Sequence, residues 1–271
     1  MLERGFGLSI SRGGLSHLLH RMASKAQPAY EELLEKIRGS RAVYADETSW
    51  YVGQPKYWLW VFTTPQYTLY HVDESRGRAV AEKILGSNFP GVLITDCAAA
   101  YAHLPYKQHK CIPHHLRRLS EFREREDTLD TTYLDTCEQF WKQVIALSKA
   151  RLDMDAEAFA AEYLSLQARL EILLTQPVQQ IGDRKFQTRM KNARPHLLGC
   201  LEHHVDASNN RAERAIRPAV IARKLSCGNK TAHGAQTWEI LVSHCTTLYQ
   251  QGQDLVASIS KLATIEPMLV R

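Results

Sequence analysis

The stretch "GVLITD", Gly91 to Asp96, is a short unbroken apolar run that ends in an acid. Runs of this length without alternation belong to strands covered on both faces, as where helices sandwich a sheet. Just before it, "SRGRAVAEKIL" has helix-forming composition with apolar residues near helical spacing. Further back, "YWLWVFTT" and "YTLYHVD" are aromatic and β-branched runs separated by Pro65 and Gln66, the pattern of a hairpin. "RAVYADE", from Arg41, is a β-prone run closed by acids, so the order reads strand, strand, strand, helix, strand. After Asp96, "CAAAYAHL" reads as a helix, "KCI" as a short strand and "PHHLRRLSEFRERE" as a helix opened by proline. From about residue 129 to 204 only helical patterns occur, such as "YLDTCEQFWKQVIALSKARL" and "AEAFAAEYLSLQARLEILL", broken near Pro177 and Gly182. A β-rich part, a helical block and further helices after residue 208 predict an α/β core carrying an all-helical insertion. The first forty residues read as helical, and "GLSISRGGLSHLLHRM" has the rhythm of the second half of a helix-turn-helix.

The chain has 271 residues, 44% apolar and 23% charged, an ordinary globular composition. No apolar run is long enough to span a membrane and the N-terminal stretch lacks a secretory h-region, so a soluble, intracellular protein with no membrane partner is expected. Six cysteines are scattered without a CxxC pair, which argues against a disulfide framework and a four-thiolate zinc site. The net charge of +5 is mild. Its distribution says more, because Arg211, Arg214, Arg217, Arg223, Lys224 and Lys230 face a single acid, Glu213, over twenty residues. That segment is a candidate basic patch.

Three acids stand at element ends: Asp46 and Asp96 close predicted strands, and Glu213 falls in the first turn of a short predicted helix, in "SNNRAERAIRP". Each has an ordinary structural role available. Asn210 and Glu213 fit a capping box, and Glu213 with Arg217 fits a helix-surface ion pair worth about 0.3 to 0.5 kcal/mol. An aspartate leaving a strand is commonly a turn residue. If the three converge where ligands bind in open α/β sheets, at the carboxyl ends of strands, bare charge becomes untenable, since two carboxylates roughly 4 Å apart repel by about 4 kcal/mol at an effective dielectric near 20. Oxygen-only ligands then call for Mg²⁺ or Mn²⁺ rather than zinc.

"YADETSWYVG", "GVLITDCAAAY" followed by "KCIPHHLRRL", and "NNRAERAIRPAVIARKLSCGNKTAHGAQTWEIL" resemble the successive blocks of the DDE transposases of the insertion sequence 66 family, over about residues 5 to 262. The resemblance implies an RNase H-like mixed sheet flanked by helices, with Asp46 on the first strand, Asp96 on the fourth and Glu213 on a helix after an all-helical insertion. It implies these three acids as catalytic residues and metal ligands, two Mg²⁺ (or Mn²⁺) ions, and cleavage and strand transfer on DNA. The corresponding parts are a helical N-terminal segment over 1–40, in which a DNA-recognition part is already ending at Met1, core over 41–125, helical insertion over 126–205, core over 206–252, and a C-terminal helix and tail over 253–271. Asn209, Asn210, Arg211, Arg214, Arg217, Lys224 and Lys230 become candidates for holding DNA, with Asn209 or Asn210 fixing the helix start and Arg217 orienting Glu213. Element ends and target DNA are the implied partners, with a dimer on DNA, helper proteins of the same element and a bacterial, cytoplasmic, nucleoid-associated setting. Two rival readings are an RNase H-like nuclease without strand transfer and a truncated, non-catalytic DNA-binding remnant. Ala98 and Ala99 stand where that family tends to have glycine and an aromatic residue, and Cys227 where it usually has glycine.

Other motifs have weaker claims. Cys111 and His114, spaced as CxxH, could join His203 or His204 in a zinc site, although adjacent histidines diverge on a helix. His114 is also an accessory candidate beside DNA or the leaving phosphate. Trp50, Trp58 and Trp60 fit the sheet core, with Trp50 a candidate for an end base. Ser226 and His233 lack a nucleophile-elbow glycine pattern.

Overall fold

A computed structural model describes residues 9–125 and 130–264. Residues 1–8 of the N-terminal segment, 126–129 at the start of the helical block and 265–271 of the tail lie outside the described residues. The architecture is mixed α/β, with one five-stranded sheet ordered β3-β2-β1-β4-β5. Its strands are β1 (Ala42–Val52), β2 (Gln54–Thr63), β3 (Thr68–Asp73), β4 (Val92–Thr95) and β5 (Lys107–Lys110), with α2 (Arg78–Leu85) between β3 and β4, so the expected order holds, except that the last strand ends at the lysine of "KCI", whose Cys111 and Ile112 open a helix. The chain divides into two compact units, the first comprising residues to Ser40, Ala45–Gly86 and from Ala212 onward, the second Arg41–Tyr44 and Ser87–Arg211.

In the first unit, α1 (Arg12–Arg38) begins where the Ser11 hydroxyl accepts the Gly14 N–H, a side-chain cap on an orphan donor. Of the stretch read as half of a helix-turn-helix, Arg12 to Met22 lies in this 27-residue helix. It buries Ala23 and Ala26 against Ile240 of α9 (Ala232–Gln250). The hairpin forms as expected: β2 and β3 are antiparallel with Thr63 opposite Thr68, and Thr64 N–H closes the turn onto Tyr67 O at 2.8 Å. The outer edge of β3 would leave alternate N–H groups without partners. Instead Thr68, Tyr70 and Val72 donate to Thr247 Oγ1 (3.0 Å), Ser243 Oγ (2.8 Å) and a Glu239 carboxylate oxygen (2.7 Å). Two strand residues advance about 6.8 Å and four helix residues about 6 Å, so side chains four apart on a helix running against the strand match its alternate amides.

In the second unit the first residues of β1 pair in parallel with β4, Ala42 opposite Val92 and Tyr44 opposite Ile94, and β4 pairs in parallel with β5 from Val92 opposite Lys107 to Thr95 opposite Lys110. All four β4 residues are buried, as the unbroken apolar run requires. "CAAAYAHL" is not a helix but contains only a 3-10 turn over Ala99–Tyr101. The helices α3 (Ile112–Arg123), α4 (Thr132–Ala150), α5 (Ala156–Thr175), α6 (Ile181–Ala193) and the short α7 (Gly199–Glu202) follow, with the break between α5 and α6 where Pro177 predicts it. Leu134, Cys137, Trp141 and Val144 form the buried stripe of α4 at helical spacing. Gly199 must be glycine: a Cβ there would lie 2.3 Å from the Gln108 carbonyl oxygen, so α7 rests directly on the β5 backbone.

Two further sequence expectations change. β1 continues to Val52, so Asp46 lies inside the strand rather than closing it. The helix holding Glu213, α8 (Asn210–Ser226), runs for 17 residues through Pro218. A proline removes one backbone donor, and α8 carries on past it, so the proline does not close the segment.

Candidate active site

In the second unit Asp96 follows β4 directly, and its Oδ1 accepts the Ala98 N–H at 2.8 Å. This turn bond holds the carboxylate at the strand end. Behind it lies Lys110, a buried ammonium on β5 whose Nζ donates to Thr95 Oγ1 (3.0 Å) and Gln108 Oε1 (2.9 Å). Thr95 Oγ1 in turn donates to the Asp96 backbone carbonyl at 2.8 Å. Burial pushes the Lys110 ammonium down to about 8, against the upward pull of Cys97 and Asp96. Cys97 Sγ lies 3.4 Å from His115 Nε2, and burial raises the thiol. His115 is stacked on Trp141 at 4.9 Å and is pushed down to about 3, first by burial and then by Arg189. Lys110 carries no sequence signal, because "KQHK" is polar throughout and nothing in it marks its last three residues as buried.

The approach to α8 is tied down within the same unit. His109 Nε2 donates to Ala207 O at 3.1 Å while Nδ1 accepts the Cys200 N–H at 3.1 Å, and burial pushes this imidazole down to about 4. Ile112 N–H also reaches Ala207 O, at 3.0 Å, and Asn209 N–H donates to Cys111 Sγ at 3.1 Å. Asn209 is 1% exposed, so its expected contact with DNA gives way to a structural role at the helix start. Among the described residues no cluster joins Cys111 and His114 to His203 or His204, and His204 packs on Phe159 at 5.8 Å. The zinc alternative built on those four residues is not assembled. Tyr44 donates its hydroxyl to Asp206 Oδ2 at 2.5 Å and lies under the Arg211 guanidinium at 5.4 Å; burial, then the Asp206 bond, raises its pKa.

In the first unit Asp46 is half-buried, and its Oδ1 accepts the Glu47 N–H at 2.9 Å. Glu47 points elsewhere, to Arg76 at 3.0 Å, which covers the Trp58 ring. Glu213 is half-buried in the first turn of α8, and Tyr70 Oη fixes that helix by donating to Ala215 O at 2.5 Å. Past Ser226 the chain returns to β1: Asn229 N–H donates to Tyr51 O (2.8 Å), and Gly53 N–H to Asn229 O (2.9 Å). The Asn229 side chain accepts the Trp50 indole N–H at 2.8 Å, and Trp50 packs on Trp238. Trp50 is therefore a buried packing residue and does not present its ring to a base. Arg223 bonds Thr48 Oγ1 at 3.0 Å and Ser49 O at 2.6 Å. The arginine that the basic count includes is thus spent on the strand. His233 stacks on His20 at 3.9 Å and Ser226 Oγ donates to Ala222 O, so neither acts on the other.

Of the candidate DNA-holding residues, Asn210, Arg214, Arg217, Lys224 and Lys230 are exposed, while Arg211 is half-buried over Tyr44. Ile221 and Leu225 are exposed on α8 among these cations. No helix of the described residues is long and apolar enough to cross a membrane.

A family model described as "Transposase IS66 family" matches residues 1–237. The chain belongs to the IS66 transposase family. A curated relative, "Uncharacterized protein y4qI" of Sinorhizobium fredii (strain NBRC 101917 / NGR234), is 22% identical over 293 residues, covering 95% of this chain and 54% of the relative. The chain thus spans about half the length of the curated relative it matches. No solved structure matches it.

Proposed function

We propose that the chain is the catalytic part of a DDE transposase that cleaves DNA at insertion-sequence ends and joins the exposed 3′ hydroxyl to target DNA. The observation that carries this reading is one of register: Tyr44 on β1 stands opposite Ile94 on β4, Asp46 comes two residues later within β1, and Asp96 comes two residues later, directly after β4. Glu213 comes from α8, after the helices α3 to α7. First strand, fourth strand and a helix after a helical block is the order implied for an RNase H-like core with an insertion, and the sheet order β3-β2-β1-β4-β5 supports it.

The chemistry of the three acids, taken as the ligands, agrees with such ions. Three half-buried carboxylates offer oxygen ligands only, the choice of Mg²⁺ or Mn²⁺. When bound, such ions would stabilise the charge on the attacking and leaving oxygens of a phosphodiester displacement. Asp46, Asp96 and Glu213 are the residues that would hold them. The Ala98 amide holds the Asp96 carboxylate, and the Thr95–Lys110 pair holds the backbone at the end of β4. Asn210, Arg214, Arg217, Lys224 and Lys230 hold phosphates, which positions the strand without reading its sequence. His114 is an accessory group near the leaving phosphate. The working assembly is a dimer on paired element ends, aided by helper proteins of the same element.

Asp46→Asn, Asp96→Asn and Glu213→Gln, made singly, are each expected to lower Mg²⁺-dependent cleavage of labelled terminal-repeat DNA by about 100-fold or more, the scale of losing one preorganised charge-stabilising group. A variant that keeps near-normal cleavage removes its residue from the site. Labelled ends given supercoiled target separate the outcomes: cleavage without joining leaves a nuclease, and Mn²⁺ binding without cleavage leaves a DNA-binding remnant.

A further inference from the structure

We propose that Tyr44 is a positioning residue that, with Asp206 and Arg211, fastens the two chain segments carrying Asp46 and Glu213, an assignment that rests on the catalytic reading of those two acids. The second unit ends at Tyr44 on β1 and again at Arg211 on α8. Asp46 and Glu213 each come two residues after one of these end points. The Tyr44 hydroxyl donates to Asp206 Oδ2 at 2.5 Å and the Arg211 guanidinium stands 5.4 Å over the same ring, so one side chain engages both the segment leading into α8 and its first turn.

That segment is anchored independently. His109 Nε2 and the Ile112 N–H both donate to Ala207 O, and the Asn209 N–H donates to Cys111 Sγ. Residues 206–211 are therefore held to β5 and the head of α3, and Tyr44 adds β1 to the same anchor. Two residues of strand advance about 6.6 Å and two residues of helix about 3 Å, each along a stiff element. A shift at Tyr44 or Arg211 is passed on to the acid two places later with little chance of absorption. Sites of this kind tolerate misplacement of only about 0.5 Å. If Tyr44 served packing alone, its buried ring would suffice and the hydroxyl would not need a carboxylate acceptor. If Arg211 served phosphate alone, it would stand clear of the ring, as Arg214 and Arg217 stand clear in solvent.

Tyr44→Phe keeps the ring and removes the hydroxyl; Asp206→Ala removes the acceptor from the other end. With folding checked by circular dichroism and thermal unfolding, both variants are expected to bind Mn²⁺ about 10-fold more weakly than the unmodified chain, the usual scale for losing a group that orients metal ligands. Both should lower kcat for end cleavage with KM for DNA unchanged, and speed amide hydrogen exchange at residues 45–47 and 212–215. The double variant should be no worse than either single one, because one bond has been lost. Unchanged exchange in Tyr44→Phe overturns the proposal, as does faster exchange with unchanged Mn²⁺ affinity, or a rise in KM alone. Asp46→Asn is the control. If it binds Mn²⁺ as the unmodified chain does, the catalytic reading has failed, and exchange alone decides whether Tyr44 fastens the two segments.

Discussion

The sheet has two outer strands, and the protein completes the polar groups on them in opposite ways. On β3, in the first unit, alternate backbone amides are met by Thr247, Ser243 and Glu239 from one helix, two hydroxyls and one carboxylate. On β5, in the second unit, two of the three buried side chains are themselves ionisable: His109 spans Ala207 and Cys200, and Lys110 spans Thr95 and Gln108. The first arrangement is a repeating fit between helix and strand. The second puts titratable groups in a dry interior, where each keeps its charge state only over a limited range of pH. The hydrogen-bonded edge thus belongs to the first unit and the most strongly shifted buried groups to the second, which also holds Asp96.

The largest consequence is acid sensitivity concentrated in the second unit, which holds the most strongly shifted histidines. Burial pushes His109 and His196 down to about 4 and His115 down to about 3, from an ordinary value near 6.5. Between those values the unfolded chain binds more protons than the folded one, so stability rises with pH; it is fully present above about 6.5 and is lost as pH falls toward 4. The two fully buried rings, His109 and His115, each withdraw about 1.4 kcal/mol per pH unit in that window, and His196 adds a smaller, solvent-screened share. Hydrogen exchange at pH 5 should therefore open β5, α3 and α4 before β2, β3 and α9. Equal opening of the two sets would abolish the contrast. Trp141, stacked on His115, reports the same event by its fluorescence.

A substitution on β3 probes the other half of the contrast. Ser243→Ala leaves the Tyr70 N–H buried without its acceptor, which costs about 1 to 3 kcal/mol. The loss should be the same at pH 5 and pH 8, because no titrating group is involved in that bond. A strongly pH-dependent loss, read from urea unfolding midpoints, would mean that the neighbouring His71–Glu239 contact at 3.3 Å is part of the ladder.

These two edges also mark what the sequence discloses. The β2–β3 hairpin, the buried β4 run and the break between α5 and α6 are legible because aromatic or β-branched runs, turn residues and proline act locally. The true length of β1 is not, since residues beyond Asp46 are strand only through their pairing with β2 and the bridge from Val52 to Asn229. "CAAAYAHL" has helical composition, yet it settles into a 3-10 turn, overridden by its surroundings. The three acids stand out as charges at or near predicted strand ends and a helix start. Lys110, Tyr44 and Asp206 do not, because nothing in a strand's alternation says that a lysine is buried or that a tyrosine hydroxyl meets a carboxylate 162 residues away.

The smallest effect concerns the return of the chain from α8 to β1. Cys227 follows the last residue of α8 with φ 58°, in the left-handed region, and its N–H donates to Arg223 O at 2.8 Å. That is the position at which helices usually place glycine, and a side chain there costs roughly 1 kcal/mol or more. The next residue, Gly228, is also left-handed at φ 99°, and a Cβ on it would lie 2.5 Å from Tyr51 O, so its place cannot take the strain instead. Cys227→Gly should relieve the left-handed conformation but also loosen the unfolded chain, since glycine loses more freedom on folding. The expected net gain is therefore below about 1 kcal/mol, seen as a small rise in Tm. Because Cys227 is exposed and Asn229 secures the loop, the loop position and the bonds of Arg223 to Thr48 and Ser49 should be unaltered. A fall in Tm would show that the thiol makes a contribution to this turn that its backbone geometry does not account for.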